Sequence, residues 1–403
     1  MATSEVTVNF DNTTIGVASN SDGVILFLAH AVEVVGSFEL NKRYVLYQFS
    51  DLDALGITSS YDSTNGTTLY REIKDFYKKA GDGAILHLIG VDISPNSMST
   101  YISSPEFKTI IEGLGKNIST SIKMIGVSFS PQLTPPVAPN LFYEDVIPTR
   151  NALMELYDSL KAQKVTFAAA IVDGNNMPNN INDLPDQSNS ASPQVGILIT
   201  SETQSSCAEV GSLLGIYARR PVQFNIANGT LGVIKSDTMF FTNGLSVSSV
   251  SQTTFNALIG PKQYLFARTR TNSTGFFYND DATCDLSTKS LANISNNRVR
   301  KKITDFLYEY LNSLIGTTPV QISGNIPKST LAGYSASFIQ SYIVQNNMLS
   351  VTDQIIGSEI SGIDVVFSNQ GKFSQTRTIV GTCNVLVSSG ILNIVVDAKI
   401  TNS

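Results

Sequence analysis

Residues whose types and spacing could do chemistry are sparse in this sequence. Its two histidines both lie in or beside apolar runs, His87 within Ile-Leu-His-Leu-Ile and His30 directly after Phe-Leu-Ala. Such positions are typical of core or strand-end histidines rather than of general bases. The sequence has no P-loop, no dinucleotide-binding glycine fingerprint after the first strand, and no G-x-S-x-G nucleophile elbow. We therefore predict no catalytic residue and no cofactor.

An acidic cluster is formed by Asp280, Asp281 and Asp285. Carboxylates could bind a cation, because hard cations take oxygen ligands. Aspartates also serve turns and helix N-termini, where they accept hydrogen bonds from free backbone N–H groups. We interpret the cluster in the second way, as capping contacts at a packed junction, and predict no metal site.

A basic run, Arg298, Arg300, Lys301 and Lys302, falls at the predicted start of a helix. Positive charge is unfavourable there, because the N-terminal end of the helix dipole is itself positive. Two interpretations stay open: a solvated helix face, or a surface that meets an acidic partner.

Alternating apolar residues mark both ends of the sequence. Between Gly390 and Thr401 one face carries Leu392, Ile394, Val396, Ala398 and Ile400, and a weaker repeat near the start carries Val6, Val8 and Phe10. A period of two predicts half-buried strands. The backbone groups of such strands need partners, which could belong to the same chain or to another one.

The composition suggests a protein whose surface is covered by copies of itself. Of 403 residues, 42% are hydrophobic and only 15% are charged, against about 25% charged in typical soluble domains. Interface cores are depleted of charge in this way, although an ordinary Ser/Thr-rich protein would also fit. The net charge of −6 argues against general nucleic-acid binding.

Neither secretion nor membrane insertion is predicted. The first residues lack a basic and apolar signal segment. The most apolar run, Val24 to Val35, is interrupted by His30 and Glu33 and is too short to span a bilayer. The three cysteines are far apart, so we interpret them as free thiols of a reducing compartment.

The element order predicts an α/β region followed by an α+β region. Residues 21–244 alternate strands with helices, which indicates a mostly parallel sheet. A helix predicted over 203–219 carries Gly211 and Gly215, whose small size favours close packing of a neighbour. Polar residues 174–194 predict a long exposed loop. Residues 245–389 form the α+β domain, which ends in a β-meander, and 1–20 and 390–403 are extended β-arms.

Several segments resemble the tail sheath proteins of contractile phages and phage-like injection systems. They are Tyr264-Leu-Phe-Ala-Arg268, Gly275-Phe-Phe-Tyr-Asn-Asp-Asp281, Ile294 to Lys302 with the helix beyond, Cys207 to Val222, Thr378 to Ala398, and Tyr70 to Val91. The resemblance is in the order of these segments more than in any single motif.

The resemblance implies a structural protein rather than an enzyme. Sheath subunits form stacked six-fold rings around an inner tube, exchange terminal β-strands with their neighbours, and contract to drive the tube through a target envelope. It also implies baseplate and tail terminator partners, and a location in a virion tail or an assembled particle in the bacterial cytoplasm. We expect the α/β domain with its 174–194 loop to lie outward and the C-terminal domain inward, with Arg298, Arg300, Lys301 and Lys302 as candidate tube-facing residues.

Two other classes remain as alternatives: an α/β enzyme whose site the sequence does not reveal, and a non-contractile virion structural protein.

Overall fold

The computed structural model describes residues 20–116, 121–131, 142–161, 165–222, 237–258, 262–270, 274–286 and 291–314, with shorter pieces between them, and the backbone of further strands up to residue 399. Side chains are described as far as Asp305. The prediction of an N-terminal arm, with Val6, Val8 and Phe10, lies outside these residues.

A six-stranded, mostly parallel sheet forms the centre of the α/β region, as predicted. Its strands are Ile25–His30 (β1), Arg43–Leu46 (β2), Leu86–Val91 (β3), Met124–Ser128 (β4), Ala169–Asp173 (β5) and Val195–Leu198 (β6). Their order is β2-β3-β1-β4-β5-β6, and only β2 runs antiparallel to its neighbour. Because β1 and β3 to β6 are buried along their full lengths, they read as continuous apolar runs in the sequence.

Nine helices lie within the described residues. They are Asp51–Ala54 (α1), Tyr61–Asn65 (α2), Leu69–Ala80 (α3), Ser97–Ile102 (α4), Pro105–Gly115 (α5), Val146–Lys161 (α6), Val210–Arg219 (α7), Gln252–Leu258 (α8) and Ile294–Leu314 (α9). Short 3-10 turns cover Asn20–Gly23, Ile181–Asp183 and Val247–Ser249. Helix α7 packs against β1, β4 and β5, and α6 packs against β5 and β6.

Two glycines let α7 lie directly on α3. An ideal Cβ at Gly211 would stand 2.1 Å from the carbonyl oxygen of Glu72, and one at Gly215 would stand 2.4 Å from that of Phe76. No side chain fits at such distances, so the two backbones approach closely only because both positions are glycine. The predicted close packing at these two positions is confirmed.

One apolar core continues past the predicted domain boundary at residue 244. It begins at Val24 and includes Phe255, Phe266 and Ile294, which lie beyond that boundary. Leu265 extends the sheet, because it pairs with Leu198 of β6 in a parallel bridge. Residues 245–294 therefore share a core with the α/β region and do not form a separate unit.

The segment 174–194, predicted as a long exposed loop, is exposed only in part. Many of its polar residues are buried, among them Asn175 and Gln187. The Asn175 side chain donates to the carbonyl of Ser130 at 3.1 Å, and that of Gln187 donates to the hydroxyl of Tyr264 at 2.9 Å. A polar segment can be buried when the protein itself supplies its hydrogen-bond partners.

The remaining strands form small sheets. They are Thr200–Ser201 (β7), Val233–Ile234 (β8), Phe240–Phe241 (β9), Ala267–Arg268 (β10), Phe276–Tyr278 (β11), Ile322–Ser323 (β12), Ile326–Pro327 (β13), Ile355–Ile356 (β14), Glu359–Ile360 (β15), Ile363–Ser368 (β16), Thr378–Val387 (β17) and Gly390–Lys399 (β18). The last three form one antiparallel sheet in the order β16-β17-β18.

Candidate assembly interface and buried polar sites

The predicted strand at 390–401 forms part of a hairpin within its own chain. Strand β18 pairs antiparallel with β17 over ten residue pairs, from Val387↔Gly390 to Thr378↔Lys399, and it lies alongside α9. This strand carries the arm positions Leu392, Ile394, Val396 and Ala398, while Ile400 lies outside the described residues. Their pairing in a neighbouring subunit stays a prediction.

The outer edge of β18 is open within the described residues, because β18 is the last strand of its sheet. Two residues separate Val387 from Gly390, and in such a hairpin the pair next to the loop exchanges backbone hydrogen bonds. Along an antiparallel ladder, hydrogen-bonded pairs then alternate with non-hydrogen-bonded pairs. It follows that residues 391, 393, 395, 397 and 399 direct their backbone N–H and C=O groups away from β17. Such a row is a template for pairing with a further strand.

Within the basic segment, Arg298 is buried against the C-terminal end of α7. Its guanidinium donates to the carbonyl oxygens of Tyr217 at 2.8 Å, Arg220 at 3.0 Å and Pro221 at 3.3 Å. The last carbonyls of a helix have no partner within the helix, and positive charge is favourable at that end. The positive charge of Arg298 is therefore unfavourable at the start of α9 but favourable at the end of α7.

The other three cations of the segment also have partners within the chain. Lys301 and Lys123 both bind the carboxylate of Asp305, the latter at 2.8 Å. Arg300 donates to the Tyr157 hydroxyl at 2.6 Å, and Lys302 pairs with Asp22.

Burial contradicts the expectation that Arg298 and Lys301 face a tube, since they are only 2% and 6% exposed. Arg298 holds α9 against the end of α7, and Lys301 pairs with Asp305 of its own helix, which in turn binds Lys123 of the α/β region. Arg300 and Lys302 are partly exposed, and for these two the tube-facing role stays a prediction.

In the acidic cluster, Asp281 caps α9. Its carbonyl accepts from the Ile294 N–H at 2.8 Å, and its carboxylate accepts from the Ser295 N–H at 2.6 Å and from the Tyr217 hydroxyl. Asp285 accepts from the following N–H, that of Leu286, at 2.9 Å. The predicted capping at a packed junction is confirmed for Asp281. Burial raises the pKa of Asp281 to about 7.

Both histidines are buried and neutral, as core positions require. Nδ1 of His30 accepts from the Ser130 N–H at 3.1 Å, so its proton lies on Nε2, which is 3.3 Å from the Ser97 hydroxyl. Nδ1 of His87 accepts from Arg43 at 3.0 Å. Burial lowers the pKa of each to about 4. The interpretation as satisfied core residues is confirmed.

Sequence reasoning missed a buried polar centre at the start of α7. The Glu72 carboxylate, on α3, accepts from the Gly211 N–H at 2.6 Å and pairs with Arg71 at 2.6 Å. Asp173, at the end of β5, accepts from the Ala208 N–H at 2.7 Å and from the Phe129 N–H at 3.3 Å. Two carboxylates from different elements thus satisfy N–H groups in and just before the first turn of α7.

This centre joins α3, β5 and the start of α7. Burial raises the pKa of Asp173 to about 7, and burial also raises the pKa of Glu72, an effect that Arg71 opposes. Burial raises the pKa of the nearby Cys207 thiol well above its usual value, so it is a poor nucleophile. The signal in the sequence was Glu72 on the apolar face of α3, between Leu69 and Ile73.

The described part of the chain offers neither a metal centre nor a membrane span. No group of three or more His, Cys, Asp or Glu side chains there could hold a metal ion. Over the same residues, no helix is both long enough and apolar enough to cross a bilayer.

Two solved structures with a similar fold are chains of contractile injection systems. A chain of the anti-feeding prophage (AFP) baseplate, 6-fold symmetrised, has a TM-score of 0.58 and 13% identity, covering 100% of this chain and 97% of its own length. A chain of the extracellular contractile injection system PVC sheath complex in the contracted state has a TM-score of 0.53 and 12% identity, covering 100% and 96%. The TM-scores show a common fold, and identities this low show no more than that.

A comparison with curated protein sequences gave no significant match. The sequence profile described as DUF2586, N-terminal domain, matches residues 3–282, which is well over half of the chain. The protein therefore belongs to the DUF2586 family.

Proposed function

We propose that this chain is a structural sheath subunit of a contractile injection system. It polymerises as stacked hexameric rings around an inner tube and contracts to drive that tube through a target envelope. The fold supports this proposal, because it matches components of such systems over the full length of the chain. In this role the chain binds copies of itself, an inner tube protein, and baseplate and terminator proteins, without binding nucleic acid or inserting into a membrane.

The observation that carries the proposal is the open outer edge of β18. A strand supplied by a neighbouring subunit would pair there through main-chain hydrogen bonds and extend the three-stranded sheet to four. The N-terminal segment with Val6, Val8 and Phe10 is our candidate for that strand. Contacts of this kind are heterologous, so they propagate into a helical assembly rather than closing as a dimer.

Contraction would then need no fuel molecule. The α/β region and the first three turns of α9 form one packed body, because Arg298 binds the end of α7, Asp305 pairs with Lys123, and Asp281 caps α9. Such bodies can change their mutual packing between two arrangements while strand links between subunits persist. Contraction releases energy because the subunits bury more surface against one another in the second arrangement.

Negative-stain electron microscopy tests this proposal on the purified protein, alone and co-expressed with a candidate inner tube protein. We expect hollow, striated tubes in at least one of these samples. Discrete small particles in both samples would contradict the proposal and favour an enzyme. Tubes of only one length and diameter under all conditions would favour a non-contractile structural protein.

A further inference from the structure

A shallow, open, cation-rich cleft lies where α9 meets the amino ends of the sheet strands. Lys123 and Ala168, which line it, directly precede β4 and β5, and Asp22 precedes β1. Helix α9 contributes Arg298, Lys301 and Lys302. The cleft therefore joins parts of the chain that are far apart in sequence.

Positive charge exceeds negative charge in this cleft. Four cations line it, Lys123, Arg298, Lys301 and Lys302. Two carboxylates face them, because Asp305 is shared by Lys123 and Lys301 and Asp22 pairs with Lys302. Arg298 has no carboxylate among its hydrogen-bond partners, which are backbone carbonyls, although Asp22 and Asp281 lie near enough to favour its charge.

Two observations indicate that this excess is not fully compensated within the described residues. The Nε–H of the buried Arg298 guanidinium has no hydrogen-bond partner there. Burial lowers the pKa of Lys301, and its neighbour Lys123 adds to that shift while Asp305 opposes it. Buried cations without enough anions are costly, and an added anion relieves that cost.

We propose that this cleft binds one oxyanion group, a carboxylate or a phosphate, between Lys302, Lys123 and the guanidinium of Arg298. A guanidinium flanked by ammonium groups suits the charge and shape of an oxyanion. Lys302 and Asp22 are the outermost members, with side chains 21% and 27% exposed. They form the mouth of the site, and the incoming anion competes with Asp22 for Lys302.

The test measures the midpoint of thermal unfolding against sodium acetate and against sodium phosphate, with sodium chloride keeping the ionic strength constant. A ligand that binds only the folded state raises the midpoint along a saturating curve. We expect such a curve for the wild type. Lys302→Met is expected to weaken binding and raise the apparent dissociation constant about fivefold. Asp22→Asn is expected to strengthen binding and lower that constant by a similar factor.

Lys42→Met provides the matched control, because Lys42 also pairs with a carboxylate, that of Glu39, but at an exposed site outside the cleft lining. It should keep the wild-type dissociation constant. A linear rise of the midpoint that all four proteins share would overturn the proposal, because it would report a general effect of the salt. Equal constants for Lys302→Met and Asp22→Asn would overturn it as well.

Sedimentation velocity distinguishes two sources of the oxyanion. If an acidic side chain of a second copy occupies the cleft, acetate and Lys302→Met both reduce self-association. If the ligand is a free oxyanion, acetate raises the unfolding midpoint and leaves self-association unchanged. Both outcomes support the oxyanion site, and each identifies which kind of group occupies it.

Discussion

Arg298 closes the end of a helix to which it does not belong: its guanidinium donates to the Tyr217 carbonyl at 2.8 Å. Tyr217 lies in the last turn of α7, and its hydroxyl reaches Asp281, which caps the start of α9. The two residues thus join the end of one helix to the beginning of the other. This link fixes α9 on the α/β region.

Replacing Arg298 should weaken the fold strongly. Arg298→Met removes the donor to three carbonyls, of which that of Tyr217 is buried, so we expect a loss of about 2–4 kcal/mol in the free energy of unfolding. Arg300→Met is the control, because within the described part of the chain the Arg300 side chain bonds only to Tyr157, and its loss should cost less than about 1 kcal/mol. Urea unfolding followed by circular dichroism measures both. Equal losses would contradict the assigned role of Arg298.

The contact between α3 and α7 should not tolerate a methyl group. Gly211→Ala would place Cβ 2.1 Å from a backbone oxygen, so the helices must separate, at a cost of about 2 kcal/mol or more. Gly113→Ala is the matched control in an open helical position, where a Cβ meets nothing within 4 Å. It should be neutral or stabilising by up to about 1 kcal/mol. Thermal unfolding measures the stability of both variants. Equal unfolding midpoints would contradict the close contact between α3 and α7.

Asp281 should make the folded protein less stable as the pH rises from about 4 to about 7. Burial raises its pKa in the folded chain to about 7, from 3.8. Its contribution is fully present below about pH 4 and is lost as the pH rises to about 7, because only the unfolded chain releases the proton in that range. Asp281→Asn can still accept from Ser295, so it should flatten this slope while preserving the cap.

The measurement for Asp281 is the difference in unfolding free energy between wild type and Asp281→Asn at several pH values. It should change by up to about 4 kcal/mol between pH 4 and pH 7 and then level off. Parallel curves across this range would show that the carboxyl is not shifted.

The thiols of Cys207 and Cys284 should be inert in the folded protein. Both are fully buried, and burial raises the pKa of Cys284 to about 12. In a Cys383→Ser background, a thiol-specific reagent should label neither residue until denaturant is added. Rapid labelling of the native protein at the rate of a free thiol would contradict this packing.

The parts of the fold that the sequence predicted are those governed by local pattern. The buried runs of β1, β3, β4 and β5, the apolar stripe of α3 and the alternation of β18 follow directly from side-chain periodicity. Gly211 and Gly215 predicted close packing, because glycine has no side chain and the two residues lie one helical turn apart on the same face.

The predictions that failed depended on partners distant in sequence. Judged by the dipole of α9 alone, a positive charge at Arg298 is unfavourable. Its guanidinium in fact binds the end of α7, about 80 residues earlier in the sequence. The polarity of residues 174–194 suggested exposure, but Tyr264 and Ser130 supply their hydrogen bonds inside the protein. A sequence pattern shows that a polar group needs a partner without showing which residue provides it.

The central claim, that the outer edge of β18 pairs with a neighbouring subunit, is tested most directly at residue 397. The register directs the N–H of Asp397 away from β17, so Asp397→Pro removes a donor from the open edge and leaves the hairpin's own hydrogen bonds in place. Asp397→Ala changes the same side chain but keeps the N–H. Tube formation, measured by sedimentation and negative-stain microscopy, should match wild type for Asp397→Ala. It should be lost for Asp397→Pro, which keeps the wild-type circular dichroism spectrum and unfolding midpoint. Tubes of wild-type length and yield from Asp397→Pro would contradict the claim.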